Sequence, residues 1–229
     1  MFPLKSLKAR SNELRSAAPA CLRCPTSRAA AFFTTLLLTS CASLPHDQIP
    51  DGIFDGVATV EWSGEDKFIY RPGPKALSFQ PSFWAKTTKR IVPQTMYTDG
   101  GSVPRFFWNI PGLSPWGFGP AYVIHDYIFT VHRCGWYDPD VAEIDFDKSA
   151  EVLAEVGKAL IDLHYIQHDA LDAIVLAVKS PIARTLWDTP GDPIKDCAHP
   201  PKSLRPAVTV ATFDIPKVRR LLRLSPSLR

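Results

Sequence analysis

Two kinds of residue pattern occupy separate parts of this 229-residue sequence, and their order limits the fold more than any other feature. Residues 56–92 are rich in β-branched and aromatic side chains interrupted by turns, which is typical of strands. Residues 120–188 instead repeat apolar side chains three and four positions apart, which is typical of packed helices. Strands followed by helices predict an α+β fold, with a small antiparallel sheet followed by a mainly helical half.

The strand-like part predicts a hairpin followed by two shorter strands. Residues 57–62 and 67–70 are the arms of the hairpin, and the turn lies at 63–66. Beyond a break rich in proline and glycine, we expect short strands near residues 76–79 and 89–92.

The helical part predicts three helices and a short fourth piece. The first helix covers residues 121–131, and Pro120 suits its first turn. The second helix covers about 146–164 and the third about 167–178, each with apolar residues on one face. A last helical piece extends through Trp187.

The charge of the chain is unevenly distributed. The formal net charge is +3, but residues 41–199 contain 13 basic and 21 acidic side chains. An acidic body argues against nucleic acid as a partner, because nucleic-acid binding depends on basic surfaces. It is better suited to a divalent cation or to a surface contact.

The first 40 residues have the features of an export signal. Basic residues precede an apolar run at 29–38, which is too short to span a bilayer but suits the core of a signal peptide. The run ends in Leu38-Thr39-Ser40-Cys41, which is similar to the bacterial lipobox. We predict a lipoprotein signal peptide over 1–40, a lipid on Cys41 and a tether over 41–55. The protein is then anchored in the envelope membrane, at the outer membrane facing the periplasm. A plain signal peptide or a buried helix is the alternative.

The remainder of the chain divides into a domain and an extension. Residues 56–188 are predicted to form one α+β domain, and 189–229 a proline-rich and basic extension with a strand-like stretch at 208–210. Cys134 and Cys197 are the cysteines that follow Cys41. An oxidising compartment would allow them to form a disulfide, but spacing alone does not show whether they meet.

A glycine-rich turn with a carboxylate precedes the first predicted helix. It is Asp99-Gly100-Gly101-Ser102, and its glycines allow backbone carbonyls to approach an ion. Carboxylate and carbonyl oxygens are the ligands that Ca²⁺ prefers. We therefore predict a calcium site formed by Asp99, Asp126 and loop carbonyls such as that of Gly100. The alternative is that Asp126 only anchors its helix.

His125 and Asp126 are adjacent within an otherwise apolar helix, where burying either without a partner is unfavourable. Neighbours on a helix point about 100° apart, so the two side chains have different roles. A carboxylate on one imidazole nitrogen orients the other nitrogen as a base. An antiparallel helix pair would bring the start of the second helix back to His125. We predict His125 as the base and Asp147 as its orienting carboxylate, with Asp145 as the rival.

Three segments in this order resemble the domain of unknown function 1353 family of bacteria and phages. They are T-D-G-G-S-V-P-R-F-F-W, V-I-H-D-Y-I-F and F-D-K-S-A-E, and the resemblance covers about residues 56–184. The usual family pattern has Ala at the position of Gly101, Tyr at that of Phe129 and Ala-Asp at that of Phe146-Asp147. The family has no established activity, so the resemblance implies a domain rather than a reaction.

The order D-G-x-S, H-D-x-x-Y and a later helical Asp is also similar to that of the secreted microbial phospholipases A2. The loop Asp and the Asp of H-D hold Ca²⁺ there, the His activates water, and the later Asp orients the His. Carried over by position, the resemblance implies calcium binding by Asp99 and Asp126, a base at His125 and an orienting role for Asp147. Phe129 departs from this pattern, which has Tyr at that position.

Two functions of different classes follow from these patterns. The first is an envelope lipoprotein that hydrolyses a lipid or another ester with calcium. The second is a non-catalytic envelope or phage-derived structural or interaction module, in which His125 and Asp126 form a structural staple, meaning a buried polar pair that holds elements together. A serine triad with Ser102 is weaker, because no G-x-S-x-G elbow surrounds it. A zinc pair of His164 and His168 is also weaker, and we expect His164 in the core.

Overall fold

The computed structural model describes residues 46–64, 67–101, 114, 116–166, 169–202 and 208–218. The chain divides into the units Met1–Ala42 and Ser43–Arg229, and every described residue belongs to the second unit. The predicted signal peptide and Cys41 lie outside the described residues. Within the described ranges, no helix is long and apolar enough to cross a membrane.

Four strands precede four helices along the described part of the chain and a fifth strand follows them, and one antiparallel sheet beside helices confirms the α+β prediction. The elements are β1 (Ile53–Gly64), β2 (Lys67–Pro72), β3 (Ser78–Gln80), β4 (Met96–Thr98), α1 (Gly119–Cys134), α2 (Phe146–Asp162), α3 (Asp169–Val178), α4 (Pro181–Asp188) and β5 (Val208–Val218).

The sheet is antiparallel, and β1 is its central strand. β5 pairs along one edge of β1, while β3 and β2 pair in succession along the other edge. β4 pairs with the far side of β2, so that Thr98 lies opposite Phe68. Alternate residues of β1 are buried, as expected for a strand with one face against a core. Gly56 has φ +110°, and a Cβ there would lie 2.1 Å from the carbonyl oxygen of Ala76, so the close approach of these segments requires glycine.

Two strand predictions differ from the structure. Residues 89–92 do not form a strand, and only an isolated bridge joins Ile91 to Phe79. β5 is much longer than the predicted 208–210 and contains Pro216. Proline cannot donate a ladder hydrogen bond, but here it lies where the register with β1 shifts between Phe54 and Gly56, which is a position that tolerates it.

Helix α1 is the buried centre of the helical half. It packs against α2 and α4, and most of its residues are buried. Pro120 lies in its first turn, and Gly135 ends it in the left-handed conformation with φ 64°. The helix ends are therefore determined by local sequence, while its position in the core follows from the apolar side chains on nearly all of its faces.

Two buried charged residues of α2 hold segments that precede the helices. Lys158 contacts Asp51 Oδ1 at 2.7 Å, and Glu155 accepts hydrogen bonds from the backbone N–H and the hydroxyl of Ser82 at 2.9 and 2.6 Å. Such groups are tolerated in a core only with partners. The end of the predicted tether is thereby attached to the domain.

A disulfide joins Cys134 at the end of α1 to Cys197, with 5.3 Å between the Cα atoms. The neighbouring Arg133 donates a hydrogen bond of 2.9 Å to the carbonyl oxygen of Thr189. The end of α1 is thus attached to the segment that follows α4.

Candidate functional site

The glycine-rich turn and helix α1 meet through one short hydrogen bond. The hydroxyl of Thr98, at the end of β4, donates to Asp126 Oδ2 at 2.6 Å. The same hydroxyl accepts the backbone N–H of Gly100 at 3.1 Å. Two segments that are separated in the sequence, the Asp99 turn and the His-Asp helix, therefore form one site.

Asp99 and Asp126 are close enough for their charges to interact. Burial first, and then the negative charge of Asp99, raise the pKa of Asp126 to about 8, and the hydrogen bond from Thr98 partly opposes this shift. Asp99 Oδ1 accepts the backbone N–H of Gly101 at 3.1 Å, which fixes the turn around the carboxylate. A cation bound between the two carboxylates would reduce the repulsion between their charges.

Gly101 and Tyr122 pack tightly beside this pair. Gly101 has φ +104°, and a Cβ there would lie 2.9 Å from two carbon atoms of the Tyr122 ring. The position therefore needs glycine both for its backbone angle and for the room that the ring takes. The charge of Asp126 also contributes to a raised pKa of Tyr122, after the larger effect of burial.

His125 lies in a drier environment than Asp126. The residue is 8% exposed, its ring centroid is 4.7 Å from that of Phe129, and Phe129 contacts Trp187 in turn. Burial lowers the pKa of His125 to about 4, so the imidazole is neutral at neutral pH. Its Nε2 atom is buried and has no hydrogen-bond partner within the described part of the chain.

The two carboxylates proposed to orient His125 occupy the start of α2. Asp145 caps that helix, because its side chain accepts the backbone N–H of Lys148 at 2.8 Å, and the Lys148 ammonium lies 3.3 Å from its other oxygen. Asp147 is exposed in the first turn. Neither carboxylate contributes to the pKa shift of His125. The orienting role of Asp147, and the rival role of Asp145, stay predictions.

The predicted calcium ligands are all oxygen atoms. They are the carboxylates of Asp99 and Asp126 and the backbone carbonyl of Gly100, which are ligands of the kind that Ca²⁺ takes. No cluster of three or more His, Cys, Asp or Glu side chains that could hold a metal occurs among residues 46–64, 67–101, 114, 116–166, 169–202 and 208–218. A cation here therefore depends on two carboxylates, with backbone and water oxygens completing its shell.

The remaining sequence candidates lie apart from this site. Ser102 and His168 fall outside the described residues. His164 is exposed and adopts a left-handed conformation with φ 60° just after α2, so its expected place in the core is wrong. The helical face ends at Asp162, and the turn that follows points His164 to solvent.

Sequence reasoning missed Thr98 and Tyr122 as members of the site. Thr98 is part of the T-D-G-G segment, but a hydroxyl in that position gives no sign of its partner across 28 residues. Tyr122 lies four residues before Asp126, and side chains four apart share a helix face. That spacing was the available signal for Tyr122.

Residues 79–157 match the model described as "Protein of unknown function (DUF1353)". This segment belongs to the DUF1353 family. The family prediction is thus confirmed. No curated protein and no solved structure matches the chain.

The DUF1353 segment begins in β3 and ends within α2. It contains the Asp99 turn, His125, Asp126 and Asp147, whereas Cys41 and β5 lie outside it. The candidate site is therefore built entirely from the DUF1353 part of the chain.

Proposed function

We propose that this chain is an envelope lipoprotein whose DUF1353 segment hydrolyses an ester with the help of calcium. One observation carries the proposal: the hydrogen bond between Thr98 and Asp126 brings the Asp99 turn to the helix that carries His125. The residues of two separate motifs thereby share one site, as a cation-dependent reaction would require.

Calcium is the cation that these residues suit. Asp99, Asp126 and the carbonyl of Gly100 would hold it, and all three supply oxygen. The raised pKa of Asp126 supports this assignment, because two carboxylates at close range without a cation favour a proton on one of them. When bound, calcium supplies positive charge that stabilises the negative oxygen developing on the ester carbonyl.

His125 is the proposed general base. Its low pKa keeps the imidazole unprotonated at neutral pH, and its unpartnered Nε2 can accept a proton. His125 takes a proton from water as the water oxygen adds to the carbonyl carbon of the ester. It then gives this proton to the alcohol oxygen as the ester C–O bond breaks, so that an acid and an alcohol are released.

Asp147 is the proposed orienting carboxylate, and Asp145 is its rival. Asp147 neighbours Phe146, whose ring contacts Trp187, and Trp187 contacts Phe129 beside the imidazole. A carboxylate that reaches His125 would fix which imidazole nitrogen carries the proton. Asp145 is already engaged with Lys148, which favours Asp147 for this role.

Hydrolysis assays on the full chain test this proposal. The substrates are a short-chain phosphatidylcholine and p-nitrophenyl butyrate, each with calcium and with EDTA. Calcium-dependent hydrolysis should disappear in His125→Gln and Asp126→Asn and fall in Asp147→Asn. His132→Gln is the matched control, since His132 lies on the same helix but is exposed and stacked on Trp187. Full activity in His125→Gln would contradict the catalytic role.

The structural module is the second candidate, and a specific observation favours it. The bond between Thr98 and Asp126 attaches a turn to the core helix, which is what a staple would do. In that case the wild type hydrolyses neither ester, and His125→Gln and Asp126→Asn change only the melting temperature. Activity and stability measured on the same variants therefore separate the two candidates.

The envelope location is proposed from the leader. The lipobox-like Leu38-Thr39-Ser40-Cys41 supports lipidation of Cys41, and the residue after it is Ala42, not the Asp that would retain the protein at the inner membrane. The partners are then the outer membrane, through the lipid anchor, and a lipid or other ester substrate.

A further inference from the structure

The hydroxyl of Tyr122 is a buried polar group to which the proposed reaction gives no role. Tyr122 is 3% exposed, and its Oη atom has no hydrogen-bond partner among the residues that the structure describes. An unsatisfied buried hydroxyl opposes folding, and phenylalanine would fill the same space without it. A ligand that is bound only at times would give the hydroxyl a partner.

Tyr122 lies where the Asp99 turn meets helix α1. Tyr122 precedes Asp126 by one turn of α1, so both side chains lie on the same face of the helix. The ring also lies against Gly101 of the Asp99 turn. The negative charge of Asp126 acts on the Tyr122 hydroxyl, so these two groups lie near one another.

Tyr127, on the same helix, provides the contrast. Its hydroxyl donates to Asp138 Oδ2 at 2.8 Å and accepts from Gln94 Nε2 at 3.1 Å. That tyrosine is satisfied within the protein and has a structural use. Tyr122 is also buried, but its hydroxyl has no such partners among the described residues. The two tyrosines therefore have different roles.

We infer that Tyr122 belongs to the cation site, where its hydroxyl accepts a hydrogen bond from a water molecule on the ion. The inference rests on the proposed calcium site and adds a residue to it. Calcium shells in proteins commonly include water, and a buried water needs two to four polar partners. Two carboxylates and one carbonyl leave positions in the shell for water, and Tyr122 would hold one such molecule. Tyr122 is therefore a positioning residue that strengthens calcium binding.

Calorimetric titration of calcium into the full chain in detergent, with melting in EDTA as a second readout, tests this inference. Tyr122→Phe should weaken calcium binding by about three- to tenfold, the effect of one hydrogen bond. Its melting temperature in EDTA should equal or exceed that of the wild type. Tyr127→Phe should show the opposite pair of results, with calcium affinity unchanged and a lower melting temperature.

The outcomes separate the inference from the proposed function. If wild type binds calcium, Asp126→Asn does not, and Tyr122→Phe binds as tightly as wild type, the inference is wrong and the calcium site stands. If Tyr122→Phe binds more weakly only because it melts at a lower temperature, the residue is structural and the inference is again wrong. If wild type binds no calcium, the proposed site and the inference both fail.

Discussion

The hydroxyl of Thr98 donates a 2.6 Å hydrogen bond to Asp126, and thereby joins the end of an outer strand to the central helix. Because the same hydroxyl accepts the N–H of Gly100, it also fixes the start of the Asp99 turn. The position of Asp99 relative to Asp126 thus depends on a single threonine side chain.

Thr98→Val should destabilise the protein by about 1–3 kcal/mol, because it leaves the partly buried Asp126 side chain without its donor at nearly constant shape. Thr98→Ser keeps the hydroxyl and should recover most of this loss. Thr185→Val is the control, since the Thr185 hydroxyl donates to the carbonyl oxygen of Pro181 at an exposed site. This substitution should lower the free energy of unfolding by less than about 0.5 kcal/mol. Denaturant unfolding measures all three. Equal losses in Thr98→Val and Thr185→Val would contradict the role of the bond.

Asp126 should make the calcium-free protein less stable as the pH rises. Its pKa is about 8 in the folded chain and about 4 in the unfolded chain. Between these values the folded form holds a proton that the unfolded form has lost, so the stabilising contribution is complete below pH ~4 and is lost by pH ~8. Asp126→Asn should remove this slope when melting is followed in EDTA from pH 6.5 to 9, above the range in which His125 has the opposite effect. An unchanged slope between pH 6.5 and 8 would show that Asp126 is ionised when folded.

His125 should have the opposite effect in acid. Its pKa is about 4 in the folded chain, below the usual 6.5 of an unfolded histidine. The unfolded form therefore gains a proton first as the pH falls, and stability is lost from about pH 6.5 down to about pH 4. Because the Asp126 contribution has the opposite sign in this window, the comparison is made in Asp126→Asn, where adding His125→Gln should remove the loss of stability in acid. Constant stability of Asp126→Asn from pH 6.5 to 4.5 would contradict a neutral buried His125.

Cys41→Ser should release the protein from membranes. Stable anchoring requires several acyl chains, and the predicted lipids on Cys41 would supply them. Fractionation of cells that express each form, followed by immunoblotting, is the measurement. A serine variant that remains in the membrane fraction in the same amount as wild type would show that another segment holds the protein there.

Local sequence determined the parts of the fold that local physics controls. Pro120 and Gly135 mark the ends of α1, and the β-branched run predicts most of β1. β5 was underestimated because its partner lies some 150 residues earlier in the chain, and the register shift that accommodates Pro216 exists only in the assembled sheet. Non-local pairing of this kind leaves no signal within a short window of sequence.

The candidate site was predictable from the sequence to about the same extent as the fold. The order of the motifs predicts that Asp99 and Asp126 act together in binding calcium, and this stays a prediction; the structure shows that the charge of Asp99 contributes to the raised pKa of Asp126. The orienting role of Asp147 or Asp145 stays a prediction, because a twenty-residue spacing does not show how the 3₁₀ turn Val141–Glu143 and the cap at Asp145 place the start of α2. Tyr122 can be assigned to the site only when the helix face that packs against Gly101 is known.

Calcium-dependent melting of the full chain tests the central claim most directly. At a hundredfold excess over its dissociation constant, calcium should stabilise wild type by about 2.7 kcal/mol and raise the melting temperature accordingly. Asp126→Asn should show no such shift, while Asp188→Asn, at the exposed end of α4, should shift as wild type does. Equal shifts in wild type and Asp126→Asn, or no shift in wild type, would contradict a calcium site between Asp99 and Asp126.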